Sequence, residues 1–220
     1  MKSQPASPYY PILINIQDKK CLVVGGGEVA LRKTQTILEH GANVVCVSPA
    51  FCTELNTLSE RGTIRTVRRE YESQDLDDVY LVIAATDDAE VNEKVATEAR
   101  KKKVLINVVD KPYLSDFIVP SYFRRGDIIV AVSTSGRSPA LARKIKSELA
   151  GELKPEYAQL ALIASDVRDE LKKNGVEVSA ERWQQALDLD SLAELIKTGR
   201  NKEAREIMLA RLNTEPQRRL

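Results

Sequence analysis

Three short segments of the 220-residue chain combine residue types that bind or transform ligands. The first, Cys21-Leu-Val-Val-Gly-Gly-Gly-Glu-Val-Ala30, is an apolar run that breaks on glycines and continues into the helical pattern Glu28 to Glu39. Its spacing, Gly25-x-Gly27-x-x-Ala30, is the dinucleotide pattern G-x-G-x-x-G/A. Gly25 permits the tight turn, Gly27 lets backbone approach a pyrophosphate, and Ala30 is small enough for helix and strand to pack. The helix would aim free N–H groups and its positive dipole end at that phosphate. A bare strand-to-helix connection would use the same glycines, so the flanking strand and helix carry the argument.

The second segment is Val104-Leu-Ile-Asn-Val-Val-Asp110, followed by Lys111-Pro112. A strand there delivers Asp110 to the carboxyl edge, where open α/β sheets bind ligands. The carboxylate suits a general base, and it equally suits a turn cap before x-Pro. The third is Ile128 to Val132 followed by Ser133, Thr134, Ser135, Gly136 and Arg137, with Ser138-Pro139 as N-cap and first-turn proline of a further helix. Hydroxyls, backbone N–H groups and a guanidinium suit carboxylates or phosphates, although such residues also make ordinary loops.

The elements that must position these groups read as a βα alternation. Strands are expected at Cys21 to Val24, Asn43 to Val47, Thr63 to Val67, Val79 to Ala85 and Val104 to Val109. Helices are expected at Glu28 to Glu39, Phe51 to Arg61 and Asp88 to Lys102. Continuous apolar strands alternating with amphipathic stretches predict an α/β Rossmann-type parallel sheet covered on both faces. Further on, Lys154 to Gly175 and Ser179 to Leu212 have helical periodicity, with Trp183 read as core and a polar tail from Asn213. One part of the dinucleotide pattern is missing: the second strand ends in Val47-Ser48-Pro49-Ala50, with neither an acid for a ribose 2′-hydroxyl nor an arginine for a 2′-phosphate.

Composition narrows the class. A hydrophobic fraction of 43% and a charged fraction of 30% suit a water-soluble chain, and a net charge of +1 argues against nucleic acid as partner. No apolar run approaches the ~20 residues that span a bilayer, and the N-terminus has no signal or transit layout, so no membrane and a cytoplasmic location are expected. Cys21, Cys46 and Cys52 lack C-x-x-C spacing and read as packing. The single histidine, His40, reads as a helix-end cap, so no resident metal site is expected. Six basic residues between Arg124 and Lys146, against Asp127 alone, either receive a polyanionic ligand or form a solvated face.

Taken together, Val23-Val-Gly-Gly-Gly-Glu-Val-Ala-x-Arg-Lys33, Ala84-Ala-Thr-Asp-Asp88, Asn107-Val-Val-Asp110 with Phe117-Ile-x-Pro120, and Val132-Ser-Thr-x-Gly-x-Ser-Pro-x-Leu-Ala-Arg143 resemble the precorrin-2 dehydrogenase / sirohydrochlorin ferrochelatase family of siroheme synthesis. The resemblance covers roughly residues 8 to 150. It implies NAD-dependent oxidation of precorrin-2 to sirohydrochlorin, followed in bifunctional members by insertion of ferrous iron, a substrate, and it implies a homodimer. It places an NAD-binding Rossmann domain at 1–114, a dimerisation segment at 115–152 and a small helical domain at 153–220.

By the same resemblance the catalytic aspartate falls on Asp110. Dinucleotide contacts fall on Gly25, Gly27, Glu28, Val29, Ser48, Pro49, Ala50 and Thr86. A hydroxyl phosphorylated in some members falls on Thr134. The acidic arms of the tetrapyrrole give Arg125, Arg137 and Arg143 a reason, with Ser133, Thr134, Ser135 and Gly136 beside them. Two other readings stay open on the residues: an NAD-sensing regulatory Rossmann module, and a tetrapyrrole-binding protein without catalysis.

Overall fold

The structure, a computed structural model, describes residues 9–213. Residues 1–8 and the polar tail beyond Asn213 lie outside the described residues. Close packing divides the chain into two compact units, the first ending at Val119 and the second beginning at Pro120.

The first unit alternates strand and helix: β1 Lys20–Val24, α1 Glu28–Leu38, β2 Asn43–Val47, α2 Thr53–Glu60, β3 Arg65–Val67, β4 Leu81–Ala84, α3 Ala89–Lys102 and β5 Leu105–Val108. The expected elements are all present, their ends shifted by about one or two residues. The strands form one parallel sheet in the order β3-β2-β1-β4-β5. Successive side chains feed two cores. Leu22, Val24, Val82, Ala84, Ile106 and Val108 pack with Val95, Ala96 and Ala99 of α3. Cys21, Val23, Leu81 and Ile83 pack with Ala30, Leu31 and Ile37 of α1. Burial on both faces explains why the central strands β1 and β4 are nearly continuous apolar runs, whereas edge strand β3 carries exposed Arg65.

From β1 the chain winds outward through β2 to β3, then returns to β4 on the other side of β1. That reversal opens a crevice at the carboxyl ends of β1 and β4. Local chemistry fixes the helices that face it. Asp88 caps α3, accepting from the N–H groups of Glu90 and Val91 at 2.9 and 3.2 Å, and Arg100, Lys101 and Lys102 stand at its carboxyl end. Gly27 begins α1 with no side-chain cap, so the first turn presents its N–H groups bare.

The second unit opens with an antiparallel pair, β6 Ser121–Arg125 and β7 Ile128–Val132. Gly126, at φ +57°, and Asp127 make the two-residue connection, in the manner of a turn with glycine first. Helix α4, Pro139–Glu152, packs on this ribbon. Beyond it α5 Glu156–Lys173, α6 Ala180–Ala186, α7 Leu189–Lys197 and α8 Asn201–Asn213 share a core of Leu160, Ile163, Val167 and Leu171 with Leu192, Met208 and Leu212. The second periodic stretch is thus three helices, broken at Leu187-Asp188 and Gly199. Trp183 packs half-buried on that core. No helix among the described residues is long and apolar enough to cross a membrane.

Candidate functional site

A cleft of about 600 Å³ opens at the carboxyl ends of β1, β2 and β4. It brings together Gly25, Gly27, Glu28, Val29, Ser48, Pro49, Ala50 and Thr86, the eight positions expected to meet a dinucleotide. Its volume falls within the usual range for small-molecule sites.

The three glycines are required for different reasons. A Cβ on Gly25, whose φ is +136°, would stand 2.3 Å from the Ala85 carbonyl oxygen, and one on Gly26 would stand 1.8 Å from that of Ala50. Both are needed by the protein's own packing. A Cβ on Gly27 would meet nothing within 4 Å and would point into open space, with backbone at φ −89° that any residue adopts. The fold alone does not ask for glycine there, whereas a pyrophosphate lying against the bare first turn of α1 does.

The β4 side of the cleft is held by a buried amide. Asn92 Nδ2 donates to the Thr86 carbonyl at 2.9 Å, and its Oδ1 lies 3.1 Å from the Thr86 hydroxyl. On the β3 side the cleft is closed by Glu70 and Tyr71, which the sequence reading did not single out. Tyr71 is buried and donates to Glu98 at 2.7 Å; burial first, then that hydrogen bond, raises its phenol far above the ordinary value.

Asp110 is not part of the cleft lining. It follows β5 exposed, at φ +58°, in the left-handed region that aspartate tolerates better than most residues. The Ser115 hydroxyl accepts from the Val108 N–H at 2.9 Å and reaches the Lys111 carbonyl at 3.0 Å, while the Asn107 amide donates to the Phe117 carbonyl at 2.9 Å. These contacts clamp the turn that carries exposed Asp110. Half-buried Lys33 of α1 feels that carboxylate. Burial lowers the ammonium's pKa, Arg32 lowers it further, and Asp110 opposes both.

The loop residues expected at the substrate lie in the second unit. Ser133 Oγ accepts from the Ser135 N–H at 3.0 Å and Thr134 Oγ1 from the Ser138 N–H at 2.9 Å, so both hydroxyls also serve the turn. Ser135 and Gly136 are left-handed at φ +53° and +81°, and Ser138 caps α4 as expected. Arg125 donates to the Ala150 carbonyl at 2.6 Å, a helix-end contact that its basic character did not foretell. Arg137 and Arg143 are exposed.

Cys21 and Cys46 are fully buried; burial pushes both thiols up to about 11, and Thr34 lies 3.3 Å from Cys46 Sγ. Both are core residues, as expected. Among the described residues one group of possible metal ligands converges: Glu28, Cys52 and Glu54, with ligand atoms within 4.8 Å of one another. The two carboxylates are exposed, and the sequence reading did not bring these three together.

Residues 12–121 match the family model described as "Putative NAD(P)-binding", and residues 125–152 match the one described as "Sirohaem biosynthesis protein central". The chain belongs to this NAD(P)-binding family. It is 39% identical over 203 residues to the siroheme synthase of Methylococcus capsulatus, covering 91% of the chain and 43% of that protein. It is 38% identical over 206 residues to that of Chromobacterium violaceum, covering 93% and 44%. The chain therefore spans less than half the length of these relatives. A solved structure titled "SirC, precorrin-2 dehydrogenase" superposes with a TM-score of 0.67 at 26% identity, covering 92% of this chain and 98% of that one. The residues lining the cleft could hold the nicotinamide dinucleotide that this family model names, the bare start of α1 being able to take its phosphates and Ser48, Pro49, Ala50 and Thr86 forming the walls.

Proposed function

We propose that the chain is an NAD-dependent dehydrogenase that converts precorrin-2 to sirohydrochlorin in siroheme synthesis, acting as a homodimer with residues 115–152 as its dimerisation segment. The observation that carries this reading is Gly27. It is open to the cleft and unneeded by packing, at the bare start of α1 on the switch point of the sheet. The relatives' names supply the substrate.

Oxidation of precorrin-2 removes one hydride and one proton. The cleft residues would hold the dinucleotide, which would supply the hydride acceptor. The chain's own part is to hold the dinucleotide by backbone N–H groups of α1 and to take the proton on the Asp110 carboxylate, carried by its clamped turn. Ser133, Thr134, Ser135, Gly136, Arg125, Arg137 and Arg143 are proposed to meet the acidic arms of the tetrapyrrole. Ferrous insertion into the product is the further step that the resemblance implies.

The test is an anaerobic assay of purified protein with precorrin-2 and NAD, following NADH and tetrapyrrole absorbance, then adding ferrous iron, with Asp110→Asn alongside. NADH formation that depends on Asp110 is expected. A further iron-dependent change above the protein-free rate would add the chelatase. Nucleotide binding without turnover would replace the enzyme by a sensing module or a tetrapyrrole carrier.

A further inference from the structure

The acid missing after β2 has a structural substitute after β3. The Ser48 N–H donates to the Val67 carbonyl at 3.2 Å, so the ends of β2 and β3 lie side by side. Three residues past Val67, Glu70 lines the same cleft as Ser48, Pro49 and Ala50. Its backbone is fixed on both sides. Arg69 donates to the Glu70 carbonyl at 2.8 Å while gripping Asp75 through two bonds of 2.8 and 2.6 Å, and Tyr71 is anchored in the core through Glu98. The Glu70 side chain is exposed, and no group among the described residues hydrogen-bonds or ion-pairs with its carboxylate.

The cations nearby are engaged elsewhere. Arg68 donates to Asn56 Oδ1 at 2.9 Å and lies over the Phe51 ring, Arg69 is held by Asp75, and the Lys94 ammonium lies over the Tyr71 ring at 5.5 Å. None of the three lines the cleft. The other acids on the cleft, Asp87, Asp88 and Glu28, follow β4 or begin α1, and β1 separates β4 from β2.

We infer that Glu70 is the ribose-binding acid of this cleft and sets its preference for NAD over NADP. The inference rests on the dinucleotide reading above. A carboxylate at that wall accepts hydrogen bonds from a ribose 2′-hydroxyl and repels a 2′-phosphate that has no free cation to meet it.

The experiment is equilibrium titration of the whole chain with NADH, NADPH and NADH lacking the adenosine 2′-hydroxyl, for the native protein, Glu70→Gln and Glu70→Arg. Native protein should bind NADH at least about 10-fold more tightly than NADPH, as expected for a charge-assisted bond against a charge repulsion. Glu70→Gln should erase most of that ratio and most of the loss seen on removing the 2′-hydroxyl, and Glu70→Arg should turn the ratio toward NADPH. A native preference that survives both substitutions, or a native protein that binds NADH and NADPH equally, overturns the role of Glu70 and leaves the cleft's reading intact. Failure of native protein to bind either nucleotide overturns that reading and the inference with it. Glu70 is exposed, so unchanged circular dichroism is expected of both variants.

Discussion

Adjacent glycines with one side chain's difference between them give the sharpest residue-level test of the cleft. In Gly26→Ala the new methyl would meet the Ala50 carbonyl backbone, so the turn must shift, at a cost of about 1–3 kcal/mol in stability. Gly27→Ala meets no protein atom, and its stability should stay within about 1 kcal/mol of native. Its NADH affinity should nevertheless fall roughly 10- to 100-fold, since blocking one charge-assisted backbone contact to phosphate is worth about 1.5–3 kcal/mol. Thermal melts and NADH titration of the two variants check the contrast, and a Gly27→Ala protein that binds like native would detach the glycine from the ligand. Asp110 calls for a different choice of variant. Asparagine shares its tolerance of left-handed backbone, so Asp110→Asn tests the charge without disturbing the turn, whereas alanine at φ +58° would add about 1–2 kcal/mol of strain. With Asp110→Asn, precorrin-2 oxidation should drop about 10²- to 10⁴-fold while NADH affinity holds, because Asp110 lies outside the cleft lining.

The elements show why some of this was legible in the sequence and some was not. The parallel sheet was readable because burial on both faces makes β1, β2, β4 and β5 nearly continuous apolar runs, and helices between them keep a period near 3.6. The ribbon β6–β7 was only half readable. Its second strand alternates plainly, but the first was read only as part of a basic stretch through Arg124 and Arg125, although Arg-Gly-Asp-Ile is a two-residue turn signal. Glu70 escaped because β3 is three residues long and its alignment beside β2 is a pairing that no local pattern encodes. The segment after it has its own pH signature. Burial pushes the Asp75 carboxyl up, yet the Arg69 bond, the Glu72 N–H and the charges of Arg69 and Lys20 outweigh it and leave its pKa below the ordinary value. A depressed carboxylate contributes stability that is complete above its unfolded pKa of about 3.9 and is lost as pH falls through the folded value. Asp75→Asn should therefore melt below native protein at neutral pH, and the gap should narrow as both are taken below about pH 4. A gap that does not change with pH would assign Asp75 a packing role instead of an ionic one.

Across the whole molecule, the groups proposed for nucleotide and for tetrapyrrole fall in two units with separate cores. The cleft and the Asp110 turn belong to the unit ending at Val119, built around β1 to β5, while the hydroxyl loop, Arg137 and the α5–α8 core belong to the unit beginning at Pro120. Leu192 is fully buried at the centre of the helical core among Leu160, Val167 and Met208. Truncating it leaves a cavity whose expected cost is about 2–5 kcal/mol, all of it borne by packing that includes no residue of the nucleotide cleft. Calorimetry of Leu192→Ala should show the transition of the second unit lowered, and NADH titration at a temperature below it should give an affinity within about two-fold of native, as for sites that share no partners. Precorrin-2 turnover is the quantity that should fall with the second unit, because the groups proposed for the acidic arms reside there. Loss of NADH binding in step with the helical core would mean that the cleft draws on the second unit for its shape, and the division of labour between nucleotide and tetrapyrrole would have to be redrawn.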